Sequence, residues 1–217
     1  MCLTLESVSF SYPNGPAILH DANLTFEQGA YYLVRGPSGS GKSTLLRLLC
    51  RLEEIQAGSI QYKECDITDI APASLRRCVA YVQQMPTLLP GTVRDNLLLP
   101  FSFHSNKNVT PPADLELTGY LDSFLLTGIT LDSEANRLSV GQSQRICLIR
   151  SLLLHPEVIL LDEPTASLDP ESAEVVLKKT MELSRQGITV IMISHSEKTP
   201  EGVNQIVSIL DKGLVAQ

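Results

Sequence analysis

Polar and apolar residues alternate over residues 3–10, the period of a strand with one buried face. A turn cluster at 12–16 follows, and residues 18–26 read as a second strand ended by Gln28-Gly29, so the chain should open as antiparallel sheet. Next come a short apolar run at 31–34, a Gly-rich stretch at 36–41, and a helical pattern over 42–52 that offers Leu45, Leu46, Leu48, Leu49 and Leu52 for burial. Residues 79–82 read as a buried strand. The stretch 86–112, with several prolines and no period, predicts irregular chain with one short helix at 93–98. From 114 to 154 the pattern is helical, with one helix beginning at Ser139. Residues 158–161 form a fully apolar strand that runs into Asp162-Glu163, a helix is predicted over 170–184, and a last strand over 188–194. Strands alternating with helices imply an α/β fold with a mainly parallel sheet covered on both faces. The core is expected from 1–86 and 156–217, with 87–155 inserted as a helical lobe.

Composition narrows the class. At 217 residues, 43% hydrophobic and 19% charged, the chain is of ordinary globular type rather than disordered, collagenous or coiled-coil. The longest apolar runs, 151–154 and 158–161, are separated by His155, Pro156 and Glu157 and fall well short of the roughly 20 residues a membrane span needs. The first ten positions carry no basic segment followed by a long apolar one, so no leader is expected, and cytoplasmic placement is. Cys2, Cys50, Cys65, Cys78 and Cys147 never fall into a CxxC pair, so they are expected to be reduced packing residues rather than disulfides or zinc ligands. A net charge of −7 argues against nucleic acid as a partner.

The candidate chemistry begins at Gly36-Pro37-Ser38-Gly39-Ser40-Gly41-Lys42-Ser43-Thr44, which fits G-x-x-x-x-G-K-[ST] between a predicted strand and a predicted helix. Glycines there let successive backbone N–H groups and the helix N-terminus face phosphate, Lys42 brings positive charge to the outer phosphates, and Ser43 is placed to ligate Mg²⁺. The apolar strand ending in Asp162 would set that carboxylate beside the loop to hold the metal's water shell. Glu163 is then the natural general base for a water attacking the γ-phosphate of ATP.

With these motifs in order, the whole chain resembles the ATP-binding cassette (ABC) ATPases, P-loop proteins with an N-terminal antiparallel β-subdomain and an inserted helical subdomain. The distinguishing stretch is Leu138-Ser139-Val140-Gly141-Gln142, similar to the family's LSGGQ signature. On its own, Ser139 with Gln142 three residues on is a capping box that starts a helix. The resemblance implies that Ser139, Gly141 and Gln142 complete the ATP site of an opposite subunit in a head-to-tail homodimer. Val140 departs from the pattern, standing where the family has glycine. The resemblance likewise assigns Gln84, with Gln83 beside it, to sensing metal and γ-phosphate, Ser167-Leu168-Asp169 to subunit contact, and His195 to the γ-phosphate. Tyr12 matches the aromatic that stacks on adenine.

The resemblance further implies ATP and Mg²⁺ as cofactors and a separate transmembrane permease, seated in a groove lined by residues 86–103, that would hold the chain on the inner face of the cell membrane. Gly91-Thr92-Val93-Arg94-Asp95-Asn96 and the short helical lobe are similar to subunits of bacterial iron-export transporters and to exporter cassettes generally. The alternative is a cytosolic ATPase such as a cluster-assembly scaffold.

Overall fold

The computed structural model describes residues 1–196 and 198–216. The chain opens with β1 (Leu3–Ser11) and β2 (Ala17–Phe26), paired antiparallel with Leu3 opposite Phe26 and Ser11 opposite Ala17. The buried side chains of β1 are Leu3 and Leu5, then Val8 and Phe10. That change from odd to even positions is made by an irregularity at Ser7, whose φ of 49° lets one residue slip without turning the apolar set outward.

Then follow β3 (Tyr31–Arg35), α1 (Lys42–Leu49), β4 (Ala57–Tyr62), β5 (Cys65–Asp66), α2 (Pro72–Cys78) and β6 (Val79–Val82). Three helices come next, α3 (Val93–Leu98), α4 (Asp114–Ser123) and α5 (Val140–Leu152), with short 3₁₀ turns between them. The chain continues through β7 (Val158–Asp162), α6 (Pro170–Arg185), β8 (Thr189–Ile193), β9 (Gln205–Leu210) and β10 (Gly213–Ala216).

The strands form a four-stranded antiparallel sheet, β2-β1-β4-β5, and a six-stranded sheet, β10-β9-β3-β8-β7-β6, parallel from β9 to β6. Both faces of the larger sheet are buried, which is why its central strands are apolar runs without alternation. On one face Val34, Leu160 and Ile191 pack with α1 and the antiparallel sheet. On the other, Leu33, Leu161 and Met192 pack against Ile146 and Val176 of the helices.

Several expectations are corrected. The helical pattern read over 114–154 is broken between Ser123 and Val140. Leu125 takes a left-handed φ of 50°, so that Leu125 N and Leu126 N donate back to the carbonyls of Asp122 and Leu121 and close α4, while the buried Arg145 guanidinium donates to the Phe124 and Leu125 carbonyls just beyond it. The first helix stops at Leu49 rather than reaching 52, and Leu52 is exposed because the chain turns at Arg51 with φ 55°. There Arg51 donates to the carbonyls of Ile67, Thr68 and Ile70. Strands β4, β5, β9 and β10 and helix α2 lay outside the pattern read from sequence. Among the described residues no helix is long and apolar enough to cross a membrane.

The irregular stretch before α3 is pinned by polar bonds. Thr92 and Asp95 form a reciprocal capping box. Asn96, 1% exposed, accepts from Leu89 N at 2.7 Å and donates to the carbonyls of Leu89 and Thr92 at 3.0 Å. Asn96→Ala would strand buried backbone groups and should lower unfolding free energy by about 1–3 kcal/mol. Urea denaturation checks this, and a loss well below that range would contradict the role.

Candidate active site

The parallel strands β3, β8, β7 and β6 all end at one edge of the sheet, the side on which open α/β sheets place their ligand crevice. The loop from Gly36 to Gly41 leaves β3 there. Gly41 caps α1 with φ 97°, and a Cβ on it would stand 2.1 Å from Ile18 Cγ2, so glycine is required twice over, by backbone and by space. Gly39 also has a left-handed φ of 78°, but a Cβ there meets nothing within 4 Å.

Lys42 is 6% exposed, and its Nζ donates to Gly36 O at 2.9 Å and Pro37 O at 2.8 Å. Carbonyl dipoles thus hold this buried cation beside the loop. The Ser40 hydroxyl is buried and has no hydrogen-bond partner among the described residues. A buried unsatisfied donor beside a cation and a helix N-terminus fits an anion with oxygen acceptors.

Asp162, 4% exposed at the end of β7, accepts from Ser43 Oγ at 2.9 Å through Oδ1 and from Tyr81 Oη at 2.9 Å through Oδ2. Burial, and next the Asp162 charge, push the Tyr81 phenol up, so it stays a donor. Ser43 and Asp162 supply hard oxygen atoms, and no group of three or more His, Cys, Asp or Glu stands together among the described residues. That donor set suits Mg²⁺, which uses few protein oxygens and completes its shell with water and phosphate.

Glu163 follows with a left-handed φ of 50°. Its Oε2 accepts from Gln84 Nε2 at 2.9 Å, and its Oε1 lies 2.7 Å from His195 Nε2. Gln84 comes from beyond β6 and His195 from beyond β8, the two neighbours of β7. Three adjacent strands therefore deliver the three side chains expected to share the chemistry.

Tyr12 sits just past β1, edge-on to Phe10 with ring centroids 5.0 Å apart, and its hydroxyl is 3.4 Å from Thr44 Oγ1. It is brought to the start of α1, beside the loop, with the ring 37% exposed.

The remaining candidates stand apart from this cluster. Ser139 caps α5, accepting from Gln142 N at 3.2 Å while Ser139 N donates to Gln142 Oε1 at 2.8 Å. A Cβ on Gly141 would come within 3.1 Å of Leu168 Cδ2, so the N-terminus of α5 rests on the segment that leads to Asp169. Asp169 caps α6 by accepting from Ser172 N at 2.9 Å. That hydrogen-bonding holds its carboxyl below the usual range. Tyr81 is the side chain at the site that sequence reasoning missed. The available signal was a hydroxyl in the otherwise apolar run Val79-Ala80-Tyr81-Val82, since a part-buried phenol needs an acceptor.

The family profile described as ABC transporter matches residues 19–166. The mitochondrial ATP-dependent permease MDL1 of Saccharomyces cerevisiae is 35% identical over 99% of this chain, which spans 32% of that protein. Protein STAR1 of Oryza sativa subsp. japonica is 39% identical over 95% of the chain and 59% of its own length. ABC transporter I family member 17 of Arabidopsis thaliana is 38% identical over 94% of the chain and 76% of its own length. The chain thus spans about a third of the permease and less than two thirds of STAR1. Among solved structures, a dimeric ATP-binding cassette bound to ADP and phosphate in a post-hydrolysis state superposes with TM-score 0.85 at 26% identity, covering 99% of this chain and 97% of that one. The cbiO1 protein of Clostridium perfringens, part of the transporter complex cbiONQ, gives 0.80 at 26% identity, covering 99% and 86%.

The loop geometry separates two glycines. Gly39→Ala should cost only the left-handed strain of about 1–2 kcal/mol. Gly41→Ala adds the clash with Ile18 and should destabilise by distinctly more, with nucleotide affinity falling in parallel. Urea unfolding and calorimetric titration of both variants check this, and equal effects would refute the assignment of the contact.

Proposed function

Because this chain belongs to the ABC transporter family, we propose that its ATPase domain works as one half of a head-to-tail homodimer that powers export through a transmembrane permease. The observation that carries the reading is the Glu163 carboxylate, held by Gln84 at 2.9 Å and His195 at 2.7 Å one residue past the Asp162–Ser43 pair.

In this reading ATP lies along the loop from Gly36 to Thr44, with its adenine on Tyr12. Lys42 turns from the carbonyls of Gly36 and Pro37 to the outer phosphates, exchanging one set of oxygen acceptors for a charged one. Ser43 and Asp162 would hold Mg²⁺, which when bound would supply positive charge against the negative charge of the β- and γ-phosphates. The γ-phosphate oxygens compete for the donors of Gln84 and His195. As those donors turn to phosphate, the Glu163 oxygens are freed to accept a proton from the attacking water. The water oxygen bonds to phosphorus, the bond to the ADP oxygen breaks, and the proton passes from Glu163 to the products.

Ser139, Gly141 and Gln142 of one protomer are assigned to the γ-phosphate of its partner, and Asp169 to the contact between protomers. The solved relative with ADP and phosphate is itself dimeric, which supports this arrangement. Val140 is 50% exposed at the first turn of α5, on the surface that would meet the partner's nucleotide. The permease is assigned to the groove between β6 and α5, where Thr87 and Arg150 line the wall and Met85 and Leu89 are exposed beside it. Docked there, the chain sits on the cytoplasmic face of the membrane, and cargo recognition belongs to the permease. Iron is the first cargo class to test, on the sequence likeness alone.

Glu163→Gln should keep ATP affinity, lower the hydrolysis rate by about 10²–10⁴-fold, and trap a dimer with ATP and Mg²⁺ visible by light scattering. Lys42→Ala should abolish ATP binding in calorimetry. A monomeric Glu163→Gln protein with ATP would count against the sandwich. Captured with ATP and Mg²⁺ from detergent-solubilised membranes of its host, that variant should bring down a polytopic membrane protein, and a soluble partner in its place would overturn the transport reading.

A further inference from the structure

Tyr81 occupies two settings at once. Its hydroxyl donates to Asp162 Oδ2 at 2.9 Å, while the residue lines the groove beside α5. One lobe of that groove, about 270 Å³, is walled by Leu52, Arg76, Arg77 and Arg150 together with Tyr81, and the adjoining lobe, about 230 Å³, by Thr87 and Cys147.

At the other end, Asp162 is 4% exposed, so its carboxylate plane is set by protein donors rather than by water. Ser43 holds Oδ1 and Tyr81 holds Oδ2. When Ser43 turns its hydroxyl oxygen to a cation, the phenol still holds the carboxylate. Three residues further along the same strand end, Gln84 donates to Glu163. The end of β6 therefore carries a donor to each of the two site carboxylates, and it forms one wall of the groove.

We infer that Tyr81 is a positioning residue that orients Asp162 toward the metal ion and so sets the metal affinity of the site. This rests on the reading of Ser43 and Asp162 as the oxygens that hold Mg²⁺ with ATP.

The test uses Mn²⁺ as the metal probe and a non-hydrolysable ATP analogue. The readouts are nucleotide affinity in EDTA, affinity with Mn²⁺, and the electron paramagnetic resonance signal of bound Mn²⁺. Tyr81→Phe keeps the ring and should leave affinity in EDTA within about twofold, while the gain in affinity on adding Mn²⁺ falls about tenfold, the usual effect of losing an outer partner of a metal ligand. A merely structural role would lower the melting temperature and move both affinities alike, and that result, or an unchanged gain, would overturn the inference.

Failure of the transporter reading is distinguishable, because these measurements need no permease. Binding of the analogue without any Mn²⁺ gain in the unmodified chain would refute the inference together with its metal-site premise.

Discussion

A parallel sheet covered by helices on one face and by a second sheet and helix on the other has no solvated face on which to place charge, so its polar chemistry is forced to the ends of its strands. Asp162 lies where this constraint bites. It is a carboxylate at 4% exposure on the final residue of a strand whose other members are fully buried. A charge so placed is tolerated only if hydrogen-bonded, and the two hydroxyls that satisfy it come from elements on either side, Ser43 from α1 and Tyr81 from β6. The bonds that make Asp162 tolerable also tie α1 and the edge strand β6 to the end of β7 at the site.

The same logic governs Lys42 and Glu163. Each is a charged group at the sheet edge whose hydrogen-bonding is taken up by neutral partners, or by one that need not carry charge: loop carbonyls for Lys42, Gln84 and His195 for Glu163. For Lys42, a ligand that offers stronger acceptors and opposite charge replaces the loop carbonyls without leaving the buried ammonium unpaired, and for Glu163 the loss of its donors frees the carboxylate. This allows a site to be stable without nucleotide and still reorganise around it. The buried Ser40 hydroxyl, unpartnered among the described residues, is where the arrangement without ligand is least well satisfied.

How much of this could be read from the sequence followed from how local each signal is. The loop motif and the apolar run ending in Asp162-Glu163 are contiguous patterns whose physics is local, and the strand–loop–helix of residues 31–49 was legible from them. The partners of those residues are not local. Tyr81 meets Asp162 across 81 positions, and Gln84 meets Glu163 across 79, so only a family likeness or the strand order could pair them. The run from 114 to 154 misled because leucine spacing persists through the break after α4. What ends that helix is a left-handed residue, Leu125, which is not a residue type that signals a turn, and its outer carbonyls are taken up by a guanidinium 20 and 21 positions away, invisible to any periodicity. Strand β4 was missed for a related reason. Its first residues, Ala57, Gly58 and Ser59, are small or polar, and it is a strand because β1 pairs with it.

The groove joins these threads, because its walls belong to two elements with different destinations. One is the end of β6, which runs to Asp162 and Glu163 through Tyr81 and Gln84. The other is α5, whose Arg150 donates to Thr87 O at 3.0 Å beside the groove and whose opposite end is the Ser139–Gln142 capping box. Its 13 residues form a rod about 20 Å long. Arg145, buried midway with bonds to the carbonyls of Gly141, Phe124 and Leu125, ties that rod to the end of α4. Burial presses its guanidinium toward the neutral form, opposed by the charges of Asp169 and Glu171. Arginine nonetheless stays charged, so truncating it would leave the Phe124 and Leu125 carbonyls without this donor. The groove wall is thus continuous with two parts of the proposed site: through β6 and the residues just past it with the carboxylates of its own chain, and through α5 with the Ser139–Gln142 end that the proposed dimer would present to the partner's nucleotide.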